Sequence, residues 1–90
     1  MPIKWTKRAP KNLETILAHI GLDDFSAAQR FLATTLEQVE SLQSFPNLGR
    51  TGVVPATREL VIHENYIVFY RARKSSIEIL RVLHAKREYP

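Results

Sequence analysis

The sequence predicts an α+β domain: an N-terminal strand, an antiparallel helical hairpin, then a three-stranded antiparallel meander, with the helices packed on one face of the sheet. Three observations carry that prediction. The first half holds two stretches with apolar residues at helical spacing, the second half holds three short runs rich in branched and aromatic residues, and a stretch dense in proline and glycine separates them. The whole chain, residues 1–90, makes one small domain with room for a single modest core.

Ile3 to Trp5 reads as a short edge strand, because Pro2 before it has no N–H for a ladder. Leu13, Ile16, Leu17 and Ile20 then recur at i, i+3, i+4, i+7 and form the apolar stripe of a first helix, which Gly21 is expected to end. Its start has two candidate caps. Thr6 is a good N-cap residue, whereas Ala9 as N-cap places Pro10 at the first helical position, where a missing N–H costs nothing. His19 on this helix has no chemistry beside it and reads as a surface or half-buried residue.

A second helix opens at Asp24 or Ser26, carries Ala28, Leu32, Leu36, Val39 and Leu42 along one side, and stops before Pro46. Gly21 to Asp24 is too short a connection for anything but an antiparallel hairpin. Ser44 to Pro55 contains Pro46, Gly49, Gly52 and Pro55, a density that excludes helix and central strand, so it reads as a loop presenting Arg50. The strand-like runs Thr57 to Ile62, Tyr66 to Ala72 and Ser76 to His84 are separated by gaps that suit tight hairpins. The last run is the most apolar, and the sheet is expected to be built around Ile77 to Leu83, which lead straight into His84, Lys86, Arg87 and Tyr89.

Composition excludes several classes. The chain has no cysteine, hence no disulfide framework or thiolate chemistry, and His19, His63 and His84 do not make a metal-ligand spacing, so neither metal nor cofactor is expected. No apolar run approaches the roughly 18 residues of a membrane span, and the start MPIKWTKRAPK lacks the apolar core of a secretory signal, so a cytoplasmic location without membrane contact is expected. The net charge of +4 is unevenly placed: Met1 to Gly49 carries five basic and five acidic residues, while Arg50 to Pro90 carries eight basic and four acidic. That asymmetry suits nucleic acid or an acidic protein segment, or else is a solvated basic face.

Spacing alone makes no strong catalytic signature, since there is no glycine-rich phosphate loop and no nucleophile elbow. Metal-free RNA cleavage needs a base for the 2'-hydroxyl, a cation on the phosphate and an acid for the leaving oxygen. The candidates for such catalysis are Arg81, His84 and Arg87, with Arg50, Arg58, Arg71, Lys86 and Tyr89 as contacts to nucleic acid or a partner. Arg58 is equally well placed for an ion pair with Glu59 or Glu78. With unbroken alternation Arg81 shares a face with Ile77, Ile79 and Leu83, and His84 shares the other with Glu78, Leu80 and Val82. The two meet only if a bulge follows Arg81 or the strand ends before His84.

The runs FPNLGRTGVVPATRELVI, ENYIVFYRAR and IEILRVLHAKREYP, preceded by WTKRAPKNLETILAHI and FSAAQRF, resemble the RelE/ParE superfamily of bacterial type II toxin-antitoxin toxins over nearly the whole chain. LGR before the sheet, TREL entering it, YIVFYR within it and RVLH closing it are specific as a set. The resemblance implies the same order of strands and helices. It also implies a cognate antitoxin with a flexible segment that wraps the toxin in a hetero-oligomer, and a target that is either DNA gyrase, for ParE-like members, or the ribosome and its mRNA, for RelE-like endonucleases. Arg58 falls where RelE-like proteins have lysine and Arg87 matches their basic residue after the last strand, but Leu60 and Ile67 stand where further basic residues belong. VLHAKRE and FSAAQRF are more similar to ParE, while His84 matches the histidines some nuclease members carry near this end. The pattern leans toward the gyrase-inhibiting branch, with an RNA endonuclease or an inactive antitoxin-binding relative as the alternatives.

Overall fold

In the computed structural model, residues 1–86 are described. They form β1 (Ile3–Trp5), α1 (Arg8–Asp23), α2 (Phe25–Ser41), β2 (Arg50–Thr51), β3 (Arg58–His63), β4 (Tyr66–Ala72) and β5 (Ile77–His84). The strands make one sheet in the order β1-β5-β4-β3-β2, with β1 parallel to β5 and every other pair antiparallel. The α+β fold expected from the sequence is therefore present, with two differences. The stretch read as pure loop contributes the two-residue edge strand β2, and the middle strand is β4 rather than β5, which lies between β4 and β1.

The turn between the helices is set by one residue. Asp24 is extended (φ −153°, ψ 100°), which stops α1, and its carboxylate accepts the Ala27 N–H at 3.0 Å, which starts α2. One residue thus makes the hairpin turn, and Gly21, expected to end α1, lies within it. Neither candidate cap begins α1: Lys7 holds the N-cap position without a side-chain bond, and Pro10 sits in the first turn, where it removes no helical hydrogen bond.

The core lies between the helices and one face of the sheet. Val68, Tyr70, Ile77, Ile79 and Val82 are buried from the sheet side, against Ala9, Leu13 and Ile16 of α1 and Phe31 and Val39 of α2. Each fully buried branched side chain contributes roughly 1.5–3 kcal/mol. The buried ridge of α2 is Ala28, Phe31, Thr35 and Val39. Leu32 and Leu36, placed by the sequence on the same stripe, are respectively half-buried and 46% exposed.

A bulge in β5 decides which residues reach which face. Tyr70 pairs with Ile79 but Phe69 with Arg81, so Leu80 is the extra residue and alternation reverses there. The backbone groups freed by the bulge are satisfied from the start of the helical layer: the Thr6 hydroxyl donates to the Leu80 carbonyl at 3.0 Å, and the Asn12 side-chain oxygen accepts the Val82 N–H at 3.2 Å.

Candidate functional site

The register puts Arg50 and Glu59, Val61 and Ile67, Arg71 and Glu78, and Phe69, Arg81 and Leu83 on the sheet face that turns away from the helices. Its centre is apolar, with Ile67 buried between its partners Val61 and Leu83, and its margins are charged. Because the bulge precedes Arg81 rather than following it, Arg81 joins Glu78 on this outer face, while His84, paired with Tyr66, lies on the helix side with Val82 and Ile79. Arg81 and His84 are therefore on opposite faces of the sheet. Arg87 and Tyr89 lie outside the described residues.

Most of the sequence-predicted cations have partners inside the chain. Arg50 donates to Glu59, Nη2 to Oε1 being 3.0 Å. Arg71 and Arg73 both hold one oxygen of Glu78, each at 3.2 Å. The hydrogen bond from Arg73, reinforced by its charge and by the bond and charge of Arg71, keeps the Glu78 carboxyl below the usual carboxylate range, against a desolvation that pushes it up. Arg58 bonds neither Glu59 nor Glu78; its Nη1 donates to the Gly49 carbonyl at 2.8 Å. Arg81 is half-buried and its Nε is enclosed without an acceptor among the described residues. Lys86 is exposed, and its backbone N–H donates to His84 Nδ1 at 3.1 Å.

The LGR segment is held from both sides. The Tyr70 hydroxyl donates to the Pro46 carbonyl and accepts the Gly49 N–H, both at 2.8 Å, while Arg58 takes the Gly49 carbonyl. A Cβ at Gly49 would stand 2.7 Å from Tyr70 Cε1 and 2.9 Å from the Glu59 carbonyl oxygen, so only glycine fits. Fixing this segment positions Arg50 for Glu59 and the exposed Leu48 beside it.

The helical layer carries a feature that stripe counting missed. Along the seam of α1 and α2 an apolar groove runs from Trp5 and Pro10, past Leu13, Leu17, Leu32 and Leu36, to Leu22 and Phe25 at the hairpin tip. It consists of two adjoining hollows of about 300 and 510 Å³ that share Leu17 and Leu32. Leu22 is 83% and Phe25 71% exposed. The signal was present in the sequence: both helices have more apolar residues than one sheet-facing stripe requires.

This layout, a mixed five-stranded sheet backed by one helical hairpin, is that of the RelE/ParE-like toxin fold. The family description "ParE toxin of type II toxin-antitoxin system, parDE" matches residues 3–89. The chain is 42% identical over 89 residues to a Sinorhizobium fredii protein described as "Putative toxin Y4kP", covering 98% of this chain and 92% of that one. It is 33% identical over 85 residues to the toxin RelE2 of Caulobacter vibrioides, covering 94% and 96%. Among solved structures it is similar to the chromosomal ParDE system of P. aeruginosa, with a TM-score of 0.83, 31% identity and coverage of 93% and 95%. A YoeB/ParE toxin from Agrobacterium tumefaciens, at 15% identity and a TM-score of 0.68 over 93% of this chain and 98% of that one, shares the fold. The chain belongs to the ParE family of type II toxin-antitoxin toxins, and membership implies a cognate antitoxin as partner.

Proposed function

We propose that this toxin arrests growth by binding DNA gyrase, without cutting RNA, and that its antitoxin silences it by laying an amphipathic segment into the α1–α2 groove. The observation that carries the first part is the distribution of the sheet's basic groups. Arg50, Arg71 and Arg73 hold carboxylates, Arg58 holds a backbone carbonyl, and Arg81 lies on the face opposite His84. Cleavage at a 2'-hydroxyl needs a base and a phosphate-binding cation within reach of the same phosphodiester. This arrangement favours the ParE-like branch over the RelE-like one.

The groove supports the second part. It is apolar, follows the seam of both helices, and has Glu14 as its one charged lining residue among the described residues, which suits a helix-in-groove partner. Gyrase and a freshly made antitoxin both belong to the cytoplasm, where we place the protein. Among the described residues no helix is long and apolar enough to cross a membrane.

One feature favours the nuclease reading: His84 and His63 both stand against the Tyr66 ring, at centroid distances of 5.0 and 5.9 Å. Two parallel reactions separate the readings. In one, purified toxin is added to gyrase and relaxed plasmid; in the other, to a translating extract with a defined mRNA probed by primer extension. Loss of supercoiling with intact mRNA is expected. New ribosome-dependent mRNA ends with normal supercoiling overturn the proposal.

A further inference from the structure

We infer that a second cavity, on the opposite flank of α2 from the groove, anchors an apolar side chain and a neighbouring carboxylate from the antitoxin's wrapping segment. The inference rests on the antitoxin reading above and adds a second attachment point to it. The cavity, about 450 Å³, lies between α2 and the β3–β4 end of the sheet. Phe31, Ile62 and Tyr66, each more than nine-tenths buried, form its floor, and Arg30 and His63 stand at its exposed rim. Phe31 meets Tyr66 edge to face at 4.9 Å and His63 at 6.3 Å, giving the hollow three aromatic walls.

Besides the Thr34 and Tyr66 hydroxyls, which donate or accept, the two nitrogen-bearing side chains at its rim present donors. His63 Nδ1 accepts the Asn65 N–H at 3.3 Å, which leaves Nε2 as the ring nitrogen that presents a donor. Arg30 adds a guanidinium that stands 4.0 Å from Asp24 in an exposed pair that contributes little and yields to a better acceptor. Among the described residues no aspartate or glutamate lines the cavity. An apolar floor with a rim of donors complements an apolar residue followed by an acidic one, and the chain's net charge of +4 favours an acidic segment overall. A nucleotide fits less well, because one guanidinium is a sparse cradle for a phosphate backbone and Arg50 and Arg71 of the sheet hold carboxylates elsewhere.

The test uses the full chain, isotope-labelled, titrated by NMR with N-acetyl-Phe-Glu-amide, its neutral counterpart N-acetyl-Phe-Gln-amide, and AMP. The Glu dipeptide is expected to shift Phe31, His63 and Tyr66 saturably and to bind about tenfold more tightly than the Gln form. Arg30→Gln, at an exposed position that leaves the fold intact, is expected to abolish that preference. Equal binding of the two dipeptides, no shift at these residues, or tighter binding of AMP overturns the inference. Capture of the cognate antitoxin by the wild-type chain is scored separately, so loss of this anchor is distinguishable from failure of the antitoxin reading.

Discussion

Removing the Tyr70 hydroxyl should unlock the segment between the helices and the sheet. In Tyr70→Phe the ring, fully buried, keeps its packing, so the change isolates two hydrogen bonds: donation to the Pro46 carbonyl and acceptance from the Gly49 N–H. A typical internal hydrogen bond contributes about 1 kcal/mol net, and a buried N–H left without a partner costs about 1–3 kcal/mol. Gly49 is buried and cannot shift toward water without breaking the Arg58 bond to its carbonyl. The expected loss is therefore about 2–3 kcal/mol, out of the roughly 5–10 kcal/mol available to a domain of this size. Urea denaturation followed by Trp5 fluorescence reads it directly, and the melting temperature should fall by about 10–20 °C. A loss below about 0.5 kcal/mol would refute the reasoning, because it would mean that the loop is held by its own turn and not by Tyr70.

Other perturbations test separate parts of the structure. Leu22→Asp and Phe25→Asp, at exposed groove positions, should leave stability within about 0.5 kcal/mol and weaken antitoxin binding by about ten- to a hundredfold in titration calorimetry. Thr35 is fully buried with its hydroxyl unpartnered among the described residues, so Thr35→Val should raise stability by about 1 kcal/mol in the same urea assay. Glu78 has a folded-state pKa below its unfolded value, so its contribution is fully present above the ordinary carboxylate range and disappears as pH falls through the lowered value. The stability gap between wild type and Glu78→Gln should accordingly be widest near neutral pH and close on acidification.

Much of the architecture was legible because local pattern and tertiary packing agree. The 3.6-residue spacing of Leu13, Ile16, Leu17 and Ile20, and the turn residues between β3, β4 and β5, place the elements within a residue or two of their observed bounds. What escaped depends on distant partners. The bulge at Leu80 is stabilised by Thr6 and Asn12, more than 65 residues away in sequence, and no local signal in β5 marks it. That one extra residue moved Arg81 to the outer face. The pairing of arginines with Glu59 and Glu78 likewise follows from register, which composition does not report. For the helices the failure was one of partition: placing Leu36 on the buried stripe of α2 overlooked that it remains uncovered, beside Leu22 and Phe25, once the sheet-facing ridge is satisfied.

The most direct test of the account is growth arrest by the Arg81→Ala, His84→Ala double variant, expressed from an inducible promoter without antitoxin. If the toxin acts by binding, these residues on opposite faces of β5 make no joint catalytic site, and the folded variant should arrest growth as the wild type does. A variant that is folded, still captured by antitoxin, and harmless would contradict it and restore the nuclease reading.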